Sequence, residues 1–434
     1  MSKHILVVSQ YYYPEQFRIN DICEEWVKKG YKVTVVTGIP NYPEGKFYKG
    51  YGWFRKRKEN INGVNVIRIP LFARRKNPFS LYLNYKSFVF FGWFFAKFTK
   101  LKADYVFTYE VSPIYQAKIG IWYAKRRKIP SVLYVMDLWP DNLIAAGNIN
   151  NKCIIRSVTR TVKKIYKNTD YILTSSKSFI DSIIKKFKVP EIKLEFWPQY
   201  AEEFYKPLEK SAKAITVIPQ DSRVNLVFAG NIGKAQGLEV LPRCAIELER
   251  RRIKVRFNII GDGKEKANLV KKVQDFIVEP YFNFIDPIPA TEIPYYFAYC
   301  DAGLITFNDS PILEKTIPAK LQSYLACGLP VIASAKGEVK KIIDEGQIGF
   351  CGAPGNVLEL ADAIEEFVQL YPAQRVVIKN NALNYGKEKF DKIKLLDRMD
   401  KIFDGLEKGT LGKPEVKEKV AIVAKQRIKK IDEE

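Results

Sequence analysis

The sequence predicts an α/β protein built from two parallel-sheet domains, and three observations carry that expectation. A chain of 434 residues is too long for one ordinary core; at roughly 150 residues per domain it allows two or three. Short apolar runs bounded by glycine and proline alternate with helical patterns, in one series from His4 and another from Val224. The stretch Asp301 to Ser334, DAGLITFNDSPILEKTIPAKLQSYLACGLPVIAS, reads strand, loop, helix, strand, which is one parallel crossover. Its helix opens at Pro318, stops at Gly328 and cannot continue through Pro330.

Hydrophobic residues make up 47% and charged residues 27%, the balance of a globular chain rather than a disordered one. The 6 cysteines are scattered without a C-x-x-C pair, so they read as buried thiols of a reducing compartment, not as a disulfide or metal set. The apolar run Ile5 to Val8 is too short for a signal peptide, and a cytoplasmic protein is expected. A net charge of +23 asks for a partner or a reason. Two readings are kept: an anionic membrane face, worth about 1 kcal/mol per nearby basic residue, and a surface that merely solvates an enzyme. Nucleic acid is not expected as a partner.

Taken in order, His4 to Ser9 is the first strand, Ile19 to Lys29 a helix ended by Gly30, and Lys32 to Thr37 the second strand. The loop Gln10 to Arg18 stands at the top of the first strand, where α/β sheets hold ligands, so Glu15 and Arg18 are candidate site residues. From Phe72 to Lys102, basic flanks enclose an aromatic middle whose apolar run, Phe88 to Ala96, falls short of the roughly 20 residues that span a bilayer. A helix buried against the first sheet is one reading. The other is an interfacial helix, with aromatics such as Phe94 and Phe95 in the headgroup boundary and Arg74, Arg75, Lys76, Lys97, Lys100 and Lys102 on lipid phosphates.

Strands follow at Tyr105 to Tyr109 and Ser131 to Met136. After the second, the loop Asp137-Leu138-Trp139-Pro140-Asp141 sets two carboxylates around a Trp-Pro turn, placed for contacts to substrate hydroxyls or to a reaction centre. Helix capping is the plainer role, and it suits Asp141 better than Asp137. Helices fill 152 to 168 and 179 to 186 around a strand at Tyr171 to Thr174, and the rhythm fails from 199 to 221, where the domain boundary is drawn.

The second series opens with the strand at Val224, the loop Asn231 to Gly237 and a helix to Arg251. Gly230, Gly233 and Gly237 let backbone approach a phosphate, and Lys234 supplies charge. Strand Val255 to Ile260 ends in Gly261-Asp262-Gly263, and Phe282 to Ile285 leads to Asp286-Pro287. The helix N-terminus at Pro318, with Lys315 and Lys320 beside it, is a candidate anion seat. Helices are expected at 357–370 and 381–406, then a charged tail from Glu407.

The run PAKLQSYLACGLPVIAS (318–334) resembles the donor-binding segment of the glycosyltransferase family 4 enzymes, whose GT-B fold has two Rossmann-like domains facing a cleft. SQYYYPEQFRINDICEEWVKKGYKVTVVTGIPNYPEGKFYKGY (9–51) and DLWPD (137–141) resemble the branch that builds bacterial O-antigen, capsule and colanic acid, including N-acetyl-L-fucosaminyl transferases. The resemblance implies an acceptor-binding domain at 1–205, a nucleotide-sugar-binding domain at 206–380, a helix crossing back to the first domain at 381–406, and a tail at 407–434. It implies a retaining hexosyl- or N-acetylaminosugar transferase acting on a polyprenyl-diphosphate-linked saccharide at the inner face of the cell membrane, with no metal and no cofactor.

By the same resemblance, donor contacts fall on Gly230, Asn231, Gly233, Lys234, Gly261, Asp262, Pro287, Glu314, Lys315, Pro318, Ala319, Lys320 and Leu321. Acceptor contacts fall on Arg18, Asp137 and Asp141, and catalytic roles on Lys234, Asp137 and Glu15. The chain departs from the family pattern at Ser323, which stands at the position of a helical glutamate, while Glu314 lies one place out of register upstream. Asn231 and Gln236 replace the family's loop arginine and lysine, leaving Lys234 as the loop's cation. The alternatives are a UDP-sugar 2-epimerase of the same fold and a non-catalytic membrane- or nucleic-acid-binding module. The single histidine, His4, lies in the first strand and is a poor supply for an epimerase.

Overall fold

The computed structural model describes residues 2–75, 77–145 and 151–412; Lys76 and the tail from 413 on lie outside the described residues. The chain divides into two compact units, Met1–Trp197 together with the residues from Asp397 on, and Pro198–Leu396.

The first unit has strands β1 (His4–Val8), β2 (Lys32–Gly38), β3 (Lys58–Ile61), β4 (Val64–Ile69), β5 (Tyr105–Glu110), β6 (Ser131–Val135), β7 (Tyr171–Thr174) and β8 (Leu194–Phe196). They form one sheet in the order β3-β4-β2-β1-β5-β6-β7-β8, parallel except where β3 meets β4. Ile5 of β1 pairs with Val33 on one side and Tyr105 on the other, and Ile5 to Val8 have no exposed surface. Continuous apolar runs of this kind are what a sheet covered on both faces requires. The β3–β4 hairpin was not anticipated, although its turn residues Asn62 and Gly63, both at positive φ, are the usual signal for a two-residue turn. His4 is buried and its ring bonds Thr34 Oγ1 at 2.8 Å, a structural role as expected.

The second unit has β9 (Val224–Ala229), β10 (Val255–Ile260), β11 (Phe282–Ile285), β12 (Ala302–Thr306), β13 (Val331–Ser334) and β14 (Gly349–Gly352). Its sheet is parallel throughout, in the order β11-β10-β9-β12-β13-β14. Both sheets therefore reverse strand order beside their first strand, between β1 and β5 and between β9 and β12. Ligands of open α/β sheets bind beyond the carboxyl ends of strands at such points.

The second switch point is held by Tyr324, which is fully buried on the helix Ala319–Ala326. Its hydroxyl accepts the Ala229 N–H at 3.3 Å and lies 3.1 Å from the Val227 carbonyl and 3.3 Å from that of Leu304. Gly303 leaves room for the ring, since a Cβ there would lie 2.5 Å from it.

The single helix expected over 381–406 is instead two, Pro372–Lys389 and Lys392–Glu407. Phe390 leaves the helical region (φ −125°, ψ 24°), and Asp391 Oδ1 accepts the Lys394 N–H at 2.7 Å, capping a new start. From Asp397 the second helix packs within the first unit, where Phe403 stacks on Tyr105 at 4.6 Å and Lys29 pairs with Asp397 and Asp400.

Candidate functional site

In the second unit, the loops after β9, β10 and β11 close around a cavity of about 400 Å³ lined by Tyr205, Gly230, Asn231, Gly261, Asp262 and Pro287, among others. Five expected donor residues thus meet in one place. Gly261 is required there: its φ is +135°, and a Cβ would lie 2.1 Å from the Gly230 carbonyl oxygen.

Lys320 stands at this loop. Its Nζ is 3.3 Å from the Phe228 ring centroid, and a Cβ on Gly230 would lie 3.9 Å from it. The residue as a whole is half-buried, whereas its ammonium end is enclosed, and it has no carboxylate partner among the described residues. A ring face offers a desolvated cation about 2 kcal/mol, less than the several kcal/mol of hydration it loses. Burial accordingly brings Lys320 down to about 7. An anion at Gly230 would restore its charge.

The other expected donor residues are distributed around this centre. Lys234 is exposed in the turn Lys234–Gln236 and, with Gly233, lines a separate hollow of about 290 Å³ that includes Glu239 and Glu265. Glu314 pairs with Lys336 at 3.2 Å, and Lys315 is half-buried in the same short turn. Pro318 caps the helix, leaving the amides of Ala319 and Lys320 at its first turn. Leu321 is fully buried, and its N–H donates to the Pro318 carbonyl at 2.9 Å, so it belongs to the core. Ser323 is buried and turns back to the Ala319 carbonyl at 3.4 Å, so it takes no part at the loop.

In the first unit, Glu15 is buried and its Oε1 accepts the N–H groups of Asn41 (2.8 Å) and Tyr42 (2.7 Å). Burial outweighs those bonds and pushes its carboxyl up to about 7. Glu15 thus ties two loops together. Arg18 opens the helix Arg18–Lys28. Asp137 is half-buried, and its Oδ2 accepts the N–H (2.7 Å) and hydroxyl (2.6 Å) of Ser112, while Asp141 pairs with Lys186 at 2.5 Å.

Glu110, at the end of β5, was missed. It is fully buried, its Oε1 has no hydrogen-bond partner among the described residues, and its Oε2 accepts the Asp137 N–H at 3.4 Å. Burial, then the charge of Asp137, raises its carboxyl well above the usual range. The available signal was a glutamate closing the otherwise uncharged run YVFTYE.

A cavity of about 590 Å³ opens at the opposite, amino-terminal ends of β5, β6 and β7. Its Asp104 and Asp170 accept the N–H groups of His4 and Ser131.

Residues 17–199 match the family described as Glycosyltransferase Family 4, and residues 210–384 the family described as Glycosyl transferases group 1. The chain belongs to the family 4 glycosyltransferases. Within it, this transferase is 26% identical over 411 residues to WcaI of Escherichia coli (strain K12), described as a colanic acid biosynthesis glycosyl transferase, covering 90% of this chain and 97% of that one. It is 29% identical over 247 residues to WbjE of Pseudomonas aeruginosa, described as a glycosyltransferase; the match spans 55% of this chain and 60% of the relative's length. Its fold is that of sucrose-phosphate synthase from Thermosynechococcus elongatus, with a TM-score of 0.74 at 14% identity over 94% of this chain and 100% of that one.

Proposed function

We propose that this transferase moves a sugar from a nucleotide-sugar donor, held by the second unit, to a lipid-linked saccharide acceptor, held by the first, in the making of a bacterial surface polysaccharide. The observation that carries the reading is Lys320, a desolvated cation without a carboxylate partner among the described residues, set beside the glycine loop at a sheet switch point. Lys320, the solvent-facing Lys234 and the amides of Ala319 and Lys320 stabilise the leaving diphosphate, which is electrostatic catalysis. The bond from the sugar's anomeric carbon to the diphosphate oxygen breaks as the bond to the acceptor oxygen forms, with retention. The acceptor hydroxyl's proton passes to the departing phosphate. Asp137, steadied by Ser112, holds an acceptor hydroxyl, and Glu15 keeps the surrounding loops in place.

The name of the relative WcaI supports a polysaccharide product. Among the described residues no helix is long and apolar enough to cross a membrane. The exposed aromatics of the helix Pro78–Phe98, with a net charge of +23, support work at an anionic membrane face.

The test is a turnover screen of the purified chain against UDP-, GDP- and dTDP-sugars, following release of the nucleoside diphosphate. One donor class is expected to be hydrolysed slowly without acceptor, and Lys320→Ala to slow that turnover by at least about tenfold. A chain that neither binds nor turns over any of them is not a sugar transferase.

A further inference from the structure

The helix Pro78–Phe98 and the turn Ile114–Gln116 bring a set of lysines together in the first unit. Lys86 Nζ lies 4.7 Å and Lys118 Nζ 5.4 Å from the centroid of the Tyr115 ring. Lys164, on the helix Lys152–Asn168, acts on Lys118 as a third positive charge. None of the three has a carboxylate partner among the described residues. Burial, then the charges of Lys86 and Lys164, holds the Lys118 ammonium below the usual lysine range. Like charges gathered in this way repel, and an anion among them would relieve both terms.

Two further contacts give the cluster a direction. Tyr115 meets Trp139 at 6.1 Å, the Trp139 indole N–H donates to Ser112 Oγ at 3.2 Å, and Ser112 holds Asp137. An unbroken chain of side chains therefore joins the lysines to the carboxylate assigned to the acceptor. On the helix itself, Tyr82, Lys86, Phe90, Phe94 and Phe98 follow at intervals of four, and all five are exposed. That spacing makes one stripe of rings with Lys86 within it.

We propose that Lys86 and Lys118 form the seat for the diphosphate of the lipid-linked acceptor, with its saccharide toward Asp137 and its lipid along the aromatic stripe of the helix Pro78–Phe98. The assignment rests on the transferase reading above and adds to it the group by which the acceptor is held. Ammonium groups around an aromatic ring suit a ligand that carries phosphate next to an apolar chain.

The seat is tested on the full chain with geranyl diphosphate, a soluble lipid diphosphate, by titration calorimetry. Lys86→Gln and Lys118→Gln are each expected to weaken its binding about tenfold, the scale of one charge-assisted contact to phosphate. Lys118→Arg, which keeps the charge, should restore most of it, and circular dichroism checks that each variant is folded. Lys271→Gln, at an exposed lysine of the second unit, should bind geranyl diphosphate as the wild type does. Unchanged affinity in both lysine variants overturns the seat, and so does a loss confined to Lys271→Gln. If the lysine variants keep their affinity for geranyl diphosphate but lose binding to phosphatidylglycerol vesicles, the lysines serve lipid headgroups and the proposal is wrong. A wild type that binds geranyl diphosphate through these lysines yet turns over no nucleotide sugar keeps the phosphate seat and removes the transferase reading.

Discussion

Lys320 and Glu15 both titrate near neutrality, because burial disfavours the charge of each, and the consequences run in different directions. Lys320 is at about 7 before any ligand arrives, and a diphosphate beside it stabilises the protonated form. Binding of the nucleoside diphosphate should therefore take up a proton, and affinity should fall as pH rises from about 7 toward 10. Calorimetry in two buffers of different ionisation heat measures that uptake; if Lys320→Ala takes up as much as the wild type, the proton belongs to another group. For Glu15, the folded carboxyl at about 7 exceeds the ordinary value of 4.5, so between those values the folded unit binds more protons than the unfolded chain. Its contribution to stability falls as pH rises through that window and is fully lost above about 7. Glu15→Gln keeps an oxygen for the Asn41 and Tyr42 N–H groups. Its thermal midpoint should gain on the wild type's between about pH 5 and about pH 8. A constant difference across that range would mean that Glu15 carries no displaced proton.

The helix Pro78–Phe98 carries two roles on two faces. Asn84, Ser87, Phe88, Gly92 and Ala96 are buried, and Gly92 admits the helix Ala117–Arg127 so closely that a Cβ would lie 2.2 Å from Ile119. The opposite face leaves Phe79 70%, Phe90 58% and Phe98 63% exposed. The buried reading of this segment holds for one face, and the other face leaves exposed the aromatics on which the interfacial reading rests. Phe94 and Phe95, paired in the sequence reading, part company: Phe94 is exposed, while Phe95 packs on the core and stacks with Tyr123 at 6.4 Å. Sedimentation with phosphatidylglycerol vesicles should show the difference. Phe94→Ser is expected to weaken binding at every salt concentration with the fold unchanged, because apolar contact is not screened. Phe95→Ser is expected to lower the thermal midpoint through a buried hydroxyl. Wild-type protein that stays in solution even at low salt would show that this face meets something other than anionic lipid.

Across the whole chain the same strand order appears twice, with β11-β10-β9-β12-β13-β14 repeating the arrangement of the first sheet around β1 and β5. The sequence determined the strands of that plan where they are buried, because a strand covered on both faces must be apolar throughout, and β7, β10 and β11 run over the residues expected of them. It also determined the glycine loop, since Gly230 and Gly261 at positive φ leave little choice of residue. The short strands β8 and β14 lack such a pattern, and the β3–β4 hairpin showed its Asn62-Gly63 turn without being read. Only the tertiary structure decided which charged groups work together. Lys234 and Lys320 are equally basic in the sequence, and folding alone sets one in solvent and the other over Phe228. Glu110 and Ser112 stand together at the end of β5, and Asp137 reaches them only when β5 and β6 pair. Local backbone preference and the alternation of apolar residues are written along the chain, whereas desolvation and charge proximity depend on residues far apart in it, and these two decide the chemistry of a site.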